Sequence, residues 1–138
     1  MSPIVPDKPS RGLLDTSALI DLDRLEPDTL PAEVTIAAVT LAELCAGPAA
    51  TQDEDERIRR QLRLQHVEAT FDPIPFGVLE ARAYARVHVA VTAIGRRPRG
   101  RFADLLIAAT ALANDLVLVT RNPDDFVGLE ELIHIVEV

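Results

Sequence analysis

Four carboxylates in this chain stand where a charged group needs a reason. Asp15 follows the apolar pair Leu13 and Leu14, Glu43 follows the β-rich run Val34 to Thr40, Asp104 opens FADLLIAATALAND, and Asp125 lies in RNPDDF after LVLVT. Burying an unpaired charge at a strand end costs several kcal/mol, roughly, even after relaxation. Either the strands end in water or something positive waits there. Carboxylates gathered in one cleft repel one another and raise some of their pKa values unless a cation neutralises them. An oxygen-only set suits a hard divalent ion, Mg²⁺ or Mn²⁺. Zinc ligands at a useful spacing are missing, because His66, His88 and His134 are scattered and Cys45 is the only cysteine.

Each acid also has a purely structural reading. Asp15 can open an Asx turn or cap the helix that follows. TLAE, Thr40 to Glu43, has the form of a capping box with Thr40 as N-cap. Asp104 can complement a helix dipole, and Asp124 and Asp125 can be turn residues after Asn122-Pro123. What joins them is position. Asp15, Glu43 and Asp124-Asp125 fall at or just past the carboxyl ends of predicted strands, where open α/β sheets bind their ligands, and Asp104 opens a helix that can point it into the same crevice.

The elements that must position them follow from the apolar pattern. Gly12 to Leu14 predicts a short strand, with Thr16-Ser17 capping a helix through Leu22. Val34 to Thr40 reads as a strand buried on both faces, and Leu41 to Ala46 as a helical turn or two stopped by Gly47-Pro48. Asp53 to Val67 is a helix with an acidic start and a solvated arginine face, FDPIPF a short edge strand, and Gly77 to Ile94 a long helix. Phe102 to Ala113 is a strongly apolar helix ended by Asn114-Asp115. Leu116 to Thr120 is a buried strand, RNPDDF a loop and LIHIVEV a last strand. Apolar strands alternating with helices predict an α/β fold with a mainly parallel sheet. Residues 1–11, with prolines at 3, 6 and 9, form a lead-in, and residues 12–138 form a single domain.

Composition bounds the rest. The 138 residues suffice for one core, and 48% apolar with 4% aromatic residues leaves Leu, Val, Ile and Ala to fill it. Lone Cys45 reads as a small core residue and cannot form an internal disulfide; the N-terminus lacks an apolar leader, and no run is long enough to span a membrane. The expected compartment is the cytoplasm. A net charge of −8 argues against a general polyanion binder. Yet GRRPRGR carries Arg96, Arg97, Arg99 and Arg101, which can receive a phosphate backbone, or an acidic peptide tail through bidentate pairs. Walker A and GxGxxG motifs are missing, which removes the common modes of nucleotide binding. A phosphotransfer receiver needs a lysine near the site, whereas the only lysine is Lys8, and a DxD phosphatase needs an acid where Ser17 stands. A non-catalytic interaction module whose acids are helix caps stays open, and metal binding would discriminate against it.

The segments LLDTSALID, TLAEL, RFADLLIAATAL and LVTRNPDDF, in this order, resemble the PIN-domain ribonucleases, specifically the VapC-type toxins of bacterial toxin–antitoxin pairs. The resemblance runs from Gly12 through nearly the whole chain. It implies a three-layer α/β/α fold, a Mg²⁺- or Mn²⁺-dependent endoribonuclease acting on structured RNA, a homodimer, and inhibition by a small VapB-type antitoxin. It places Asp15, Glu43 and Asp104 at the first three acids of the family site. Asp125 best fits the fourth, with Asp124 or Asn122 as substitutes, and Thr16, Ser17, Thr120 and Asn122 are polar supports. In this scheme Asp15 and Asp104 carry the principal metal, Glu43 orients a water and Asp125 helps bind a second ion. Attack by metal-activated water leaves 5′-phosphate and 3′-hydroxyl ends.

Overall fold

Arg11–Leu14 (β1) is short because Asp15 ends it, and its Leu13 and Leu14 point to opposite faces of the sheet, both fully buried. In the computed structural model, which describes residues 10–138, β1 pairs in parallel with Glu33–Ile36 (β2) on one side and Val117–Thr120 (β3) on the other. Ile135–Glu137 (β4) adds to the far side of β3, giving the all-parallel order β2-β1-β3-β4. Residues 1–9 of the predicted lead-in lie outside the described residues. Arg11, assigned to that lead-in from sequence, already belongs to β1.

Helices cover both faces. Leu13 and Leu118 pack with Val78–Ala93 (α4) and Phe102–Ala113 (α5), closed at one end by Phe126, Leu129 and Ile133. Leu14, Ile36 and Val119 pack with Thr16–Ile20 (α1), Ala38–Ala46 (α2) and Glu54–Thr70 (α3) through Ala18, Leu19, Leu44 and Val67. Each fully buried Leu or Ile contributes about 1.5–3 kcal/mol. The result is a three-layer α/β/α arrangement. The most buried helix is α5, where Leu105 and Ile107 to Ala111 are all enclosed. Small alanines let α4 approach, and Glu80 ties the two helices by accepting from Gly77 N at 2.8 Å and Asn114 Nδ2 at 3.0 Å. The Gly77 N–H holds the Glu80 carboxyl below the usual range against the opposing effect of burial. Among the described residues no helix is long and apolar enough to cross a membrane.

Several expected elements differ. The run from Val34 to Thr40 is not one strand: β2 stops at Ile36, Ala37 bridges Ile74, and α2 starts at Ala38 rather than Leu41. Ile74 is the reason, since its N–H donates to Ile36 O and its carbonyl accepts from Ala38 N, which turns the chain into the helix. FDPIPF contributes only this bridge. As an edge strand β2 is also less buried than predicted, with Glu33 exposed and Val34 and Thr35 half-buried. Thr40 therefore lies inside α2, whose N-cap is Ala37, and TLAE is no capping box. Cys45 is exposed rather than in the core, because it lies next to Leu44, the residue α2 turns inward. RNPDDF contains a turn of 3₁₀ helix, Pro123–Phe126, anchored by the fully buried Phe126.

The arginines of α3 do more than solvate its surface. Arg57 donates to Pro48 O and Thr51 O, and Arg60 donates to Gly47 O at 2.8 Å. These are orphan carbonyls at and just beyond the end of α2. The clamp fixes α2, the helix that carries Glu43.

Candidate active site

The two central strands are β1 and β3, and the chain leaves β1 toward β2 on one side before returning to β3 on the other. Their carboxyl ends thus flank the switch point where such sheets open a crevice. Asp15 is the first residue past β1, and its backbone N–H still donates to Val119 O at 2.9 Å. The side chain is 3% exposed and accepts three hydrogen bonds. Oδ1 accepts from Ala18 N at 2.9 Å and Ser17 Oγ at 2.7 Å, while Oδ2 accepts from Thr120 Oγ1. Asp15 itself, not Thr16 or Ser17, is therefore the N-cap of α1. Capping and metal ligation are compatible here, since the cap uses one oxygen and a carboxylate has about four lone-pair sites.

Thr120 and Ser17 extend this network. Thr120 Oγ1 accepts from Asn122 N at 2.9 Å, and Ser17 Oγ accepts from Arg121 N at 3.1 Å. The sequence TRN after β3 is thus stitched to DTS after β1. Thr16 faces the other way and donates to Glu43 Oε1 at 2.6 Å, with Thr40 Oγ1 3.3 Å away. Thr40 was missed as a site residue. Its signal was the three-residue spacing to Glu43, which puts both on one face of α2.

Asp104 sits in the first turn of α5, half-buried. Burial, followed by the negative charges of Asp125, Glu43 and Asp15, raises its pKa to about 6, and Arg101 opposes this. The charges of the other three predicted acids thus all bear on Asp104. The four do not enclose one point: among the described residues no three Asp, Glu, His or Cys side chains already form a metal cage. The donor chemistry still fits a hard divalent cation, because oxygen ligands with uncompensated negative charge come from separate, well-packed elements. His66, His88 and His134 are all exposed.

The fourth acid and the arginine loop are separated by geometry. Asp125 is the acid of its loop whose charge bears on Asp104, and its Oδ1 lies 3.8 Å from Arg101 Nη1. Asp124 is exposed, and its backbone carbonyl accepts from Arg96 Nη1 at 2.6 Å. Asn122 is exposed, while Arg97 and Arg99 point to solvent. The four arginines thus diverge: among the described residues, Arg96 and Arg101 have partners and Arg97 and Arg99 do not. Beside Glu43 an open groove of about 390 Å³ runs past Thr16 and Ile20 to Arg60 and Arg63.

Comparison with known proteins identifies the family. The PIN domain family model matches residues 12–131. Ribonuclease VapC5 of Mycobacterium tuberculosis is 36% identical over 125 residues, covering 88% of this chain and 90% of the relative. Ribonuclease VapC1 of Rickettsia felis is 30% identical over 87% and 91%. Among solved structures, the VapBC-5 toxin–antitoxin complex of M. tuberculosis matches with a TM-score of 0.83 at 36% identity, covering 94% of this chain and all of that chain. FitAcB of Neisseria gonorrhoeae matches with a TM-score of 0.67 at 26% identity, over 89% and 94%. With the family model matching most of the chain and relatives at 30% identity or more along nearly its whole length, the chain belongs to the PIN-domain family, as one of its VapC ribonucleases.

Proposed function

We propose that this chain is the toxin of a toxin–antitoxin pair and hydrolyses RNA internally as a Mg²⁺- or Mn²⁺-dependent endoribonuclease. The reading is carried by one observation: Asp15 after β1, Glu43 on α2 and Asp125 after β3 all lie close enough for their negative charges to repel that of Asp104 in the first turn of α5, which supports a shared cation site. A bound divalent ion would relieve that repulsion, polarise the scissile phosphate and lower the pKa of a water, giving 5′-phosphate and 3′-hydroxyl ends.

The chain's own groups then divide the work. Asp15, locked by Ser17, Thr120 and the Ala18 N–H, is the preorganised ligand, and Asp104 the second. Glu43, held by the Thr16 hydroxyl, orients a water, and Asp125, whose charge bears on Asp104, supports a further ion. Arg97 and Arg99 meet RNA phosphates beside the crevice, each contact releasing counterions. The groove from Glu43 to Arg63 gives a strand a way out. An antitoxin that covers this charged rim excludes RNA, in keeping with the toxin–antitoxin assemblies of the relatives. Exposed Val78, Leu79 and Val89 on α4, with exposed Phe102 stacked edge-on against its Tyr84, favour a homodimer.

The test is cleavage of a pool of small structured RNAs by wild type and Asp15→Asn, with Mg²⁺, Mn²⁺ or EDTA, mapping the ends. Metal-dependent cuts with 5′-phosphate ends that vanish in a folded Asp15→Asn protein are expected. Cleavage that survives EDTA or the substitution would sink the metal reading.

A further inference from the structure

Arg101 differs from its neighbours in the arginine loop. Its backbone carbonyl accepts from Leu105 N at 3.0 Å and so begins α5, which places its side chain one turn before Asp104. Its Nη1 is buried without a hydrogen-bond partner, the only such side-chain atom among the described residues. The carboxylate it pairs with, Asp125 Oδ1, is 3.8 Å away: an ion pair, but too long for a hydrogen bond. Asp125 does not close that gap, because its N–H is bonded to Asn122 O and the next residue, Phe126, is sunk in the core. A guanidinium normally binds a carboxylate through two short, parallel bonds. Here the charge is delivered to the crevice while the bonds are left unmade, the arrangement of a group that neutralises and can leave.

We propose that Arg101 is the acid cluster's internal counter-cation: in the metal-free chain its guanidinium offsets the charge of Asp125 and Asp104, and it yields when a divalent cation binds. Arg101 thereby sets how much metal the site requires. This inference rests on the metal-dependent reading above. It concerns a positioning residue, and Arg96, already bonded to Asp124 O, has no comparable freedom. The loop Gly95 to Gly100 supplies the slack for withdrawal, with both glycines at positive φ and no neighbour within 4 Å of where a side chain would begin.

The experiment measures Mn²⁺ binding alone, without RNA, by calorimetry and by loss of the free-ion paramagnetic resonance signal. The full chain is compared as wild type, Arg101→Gln, Arg101→Lys and Asp104→Asn, with thermal melts confirming that each folds. Removing one positive charge several ångströms from the cation raises affinity, so Arg101→Gln should bind Mn²⁺ about tenfold tighter. Arg101→Lys, which keeps the charge, should stay near wild type, and Asp104→Asn should bind weakly. Equal or weaker Mn²⁺ binding by Arg101→Gln, with wild type binding normally, overturns the counter-cation role alone. Failure of both wild type and Arg101→Gln to bind Mn²⁺ overturns the metal-dependent function together with it.

Discussion

Thr120 Oγ1 donates its hydrogen to Asp15 Oδ2, joining residues 105 apart in sequence at the ends of adjacent central strands. Both groups are buried, so the bond fixes the carboxylate and spares it the cost of an unpaired lone pair. Thr120→Val keeps the shape and removes the donor. It should destabilise the fold by about 1–3 kcal/mol in urea melts and lower RNA cleavage. Thr120→Ser restores the hydroxyl and should recover most of both. A Val variant with wild-type stability and turnover would show that Asp15 is positioned by its other bonds alone.

Asp104 gives a stability test with a definite sign. Its folded pKa, about 6, lies above the ordinary 3.8, so its effect on stability is most favourable below 3.8 and is lost as pH rises through about 6. Asp104→Asn should therefore stabilise the metal-free protein at neutral pH. After discounting for solvent screening, a gain on the order of 1 kcal/mol is expected. Thermal melts in EDTA should show that gain shrinking toward zero near pH 4 or so. A gain that is independent of pH would mean that Asp104 is not under electrostatic strain.

Arg97 and Arg99, the solvent-facing pair of the loop, should act through phosphate. For a single-stranded RNA, replacing both by alanine should reduce the slope of log affinity against log salt by about 1.4, near 0.7 per contact. Binding to a cleavage-defective Asp15→Asn background at several salt concentrations measures this. An unchanged slope would assign the two arginines to another partner or to solvent.

Gly128 closes the turn after Phe126 with φ at +98°, and a Cβ there would stand 2.7 Å from Ile94 Cδ1. Gly128→Ala should cost about 1–3 kcal/mol, through backbone strain and the clash together. Because Ile94 is half exposed and can move, adding Ile94→Ala should recover only the smaller part. Full recovery in the double variant would assign the cost to the clash.

The elements legible in the sequence were those with strong local punctuation. The limits of α5 were readable because a dense apolar run begins after a Gly- and Arg-rich loop and ends at Asn114-Asp115, where Asp115 takes φ of 53°. Asp15 was legible as the residue just past a strand, because the apolar pair before it ends where the charge begins. Val34 to Thr40 was misread because a short apolar run has no periodicity that separates strand from buried helix. What ended the strand was Ile74, more than thirty residues away, and no local signal reports it. That error hid Thr40 inside α2 and gave Glu43 a capping role it does not have. The arginine loop was misleading in another way. Four like residues in one heptapeptide suggested one shared task, whereas Arg96 is bonded to Asp124 O, 28 residues downstream, and Arg101 faces the charge of Asp125, 24 residues downstream.

The central position of β3 has a consequence for biosynthesis. Asp15 emerges early from the ribosome, but the strand and hydroxyl that seat it come only with Val117 to Thr120, and Asp125 follows later still. Parallel pairing between such distant segments cannot form until the intervening chain is free to cross over. A nascent chain that stops short of Thr120 therefore carries three of the four acids without the frame that aligns them. Synthesis itself keeps the crevice unassembled until nearly the whole domain has left the exit tunnel, which delays activity beside the RNA-rich machine that makes it.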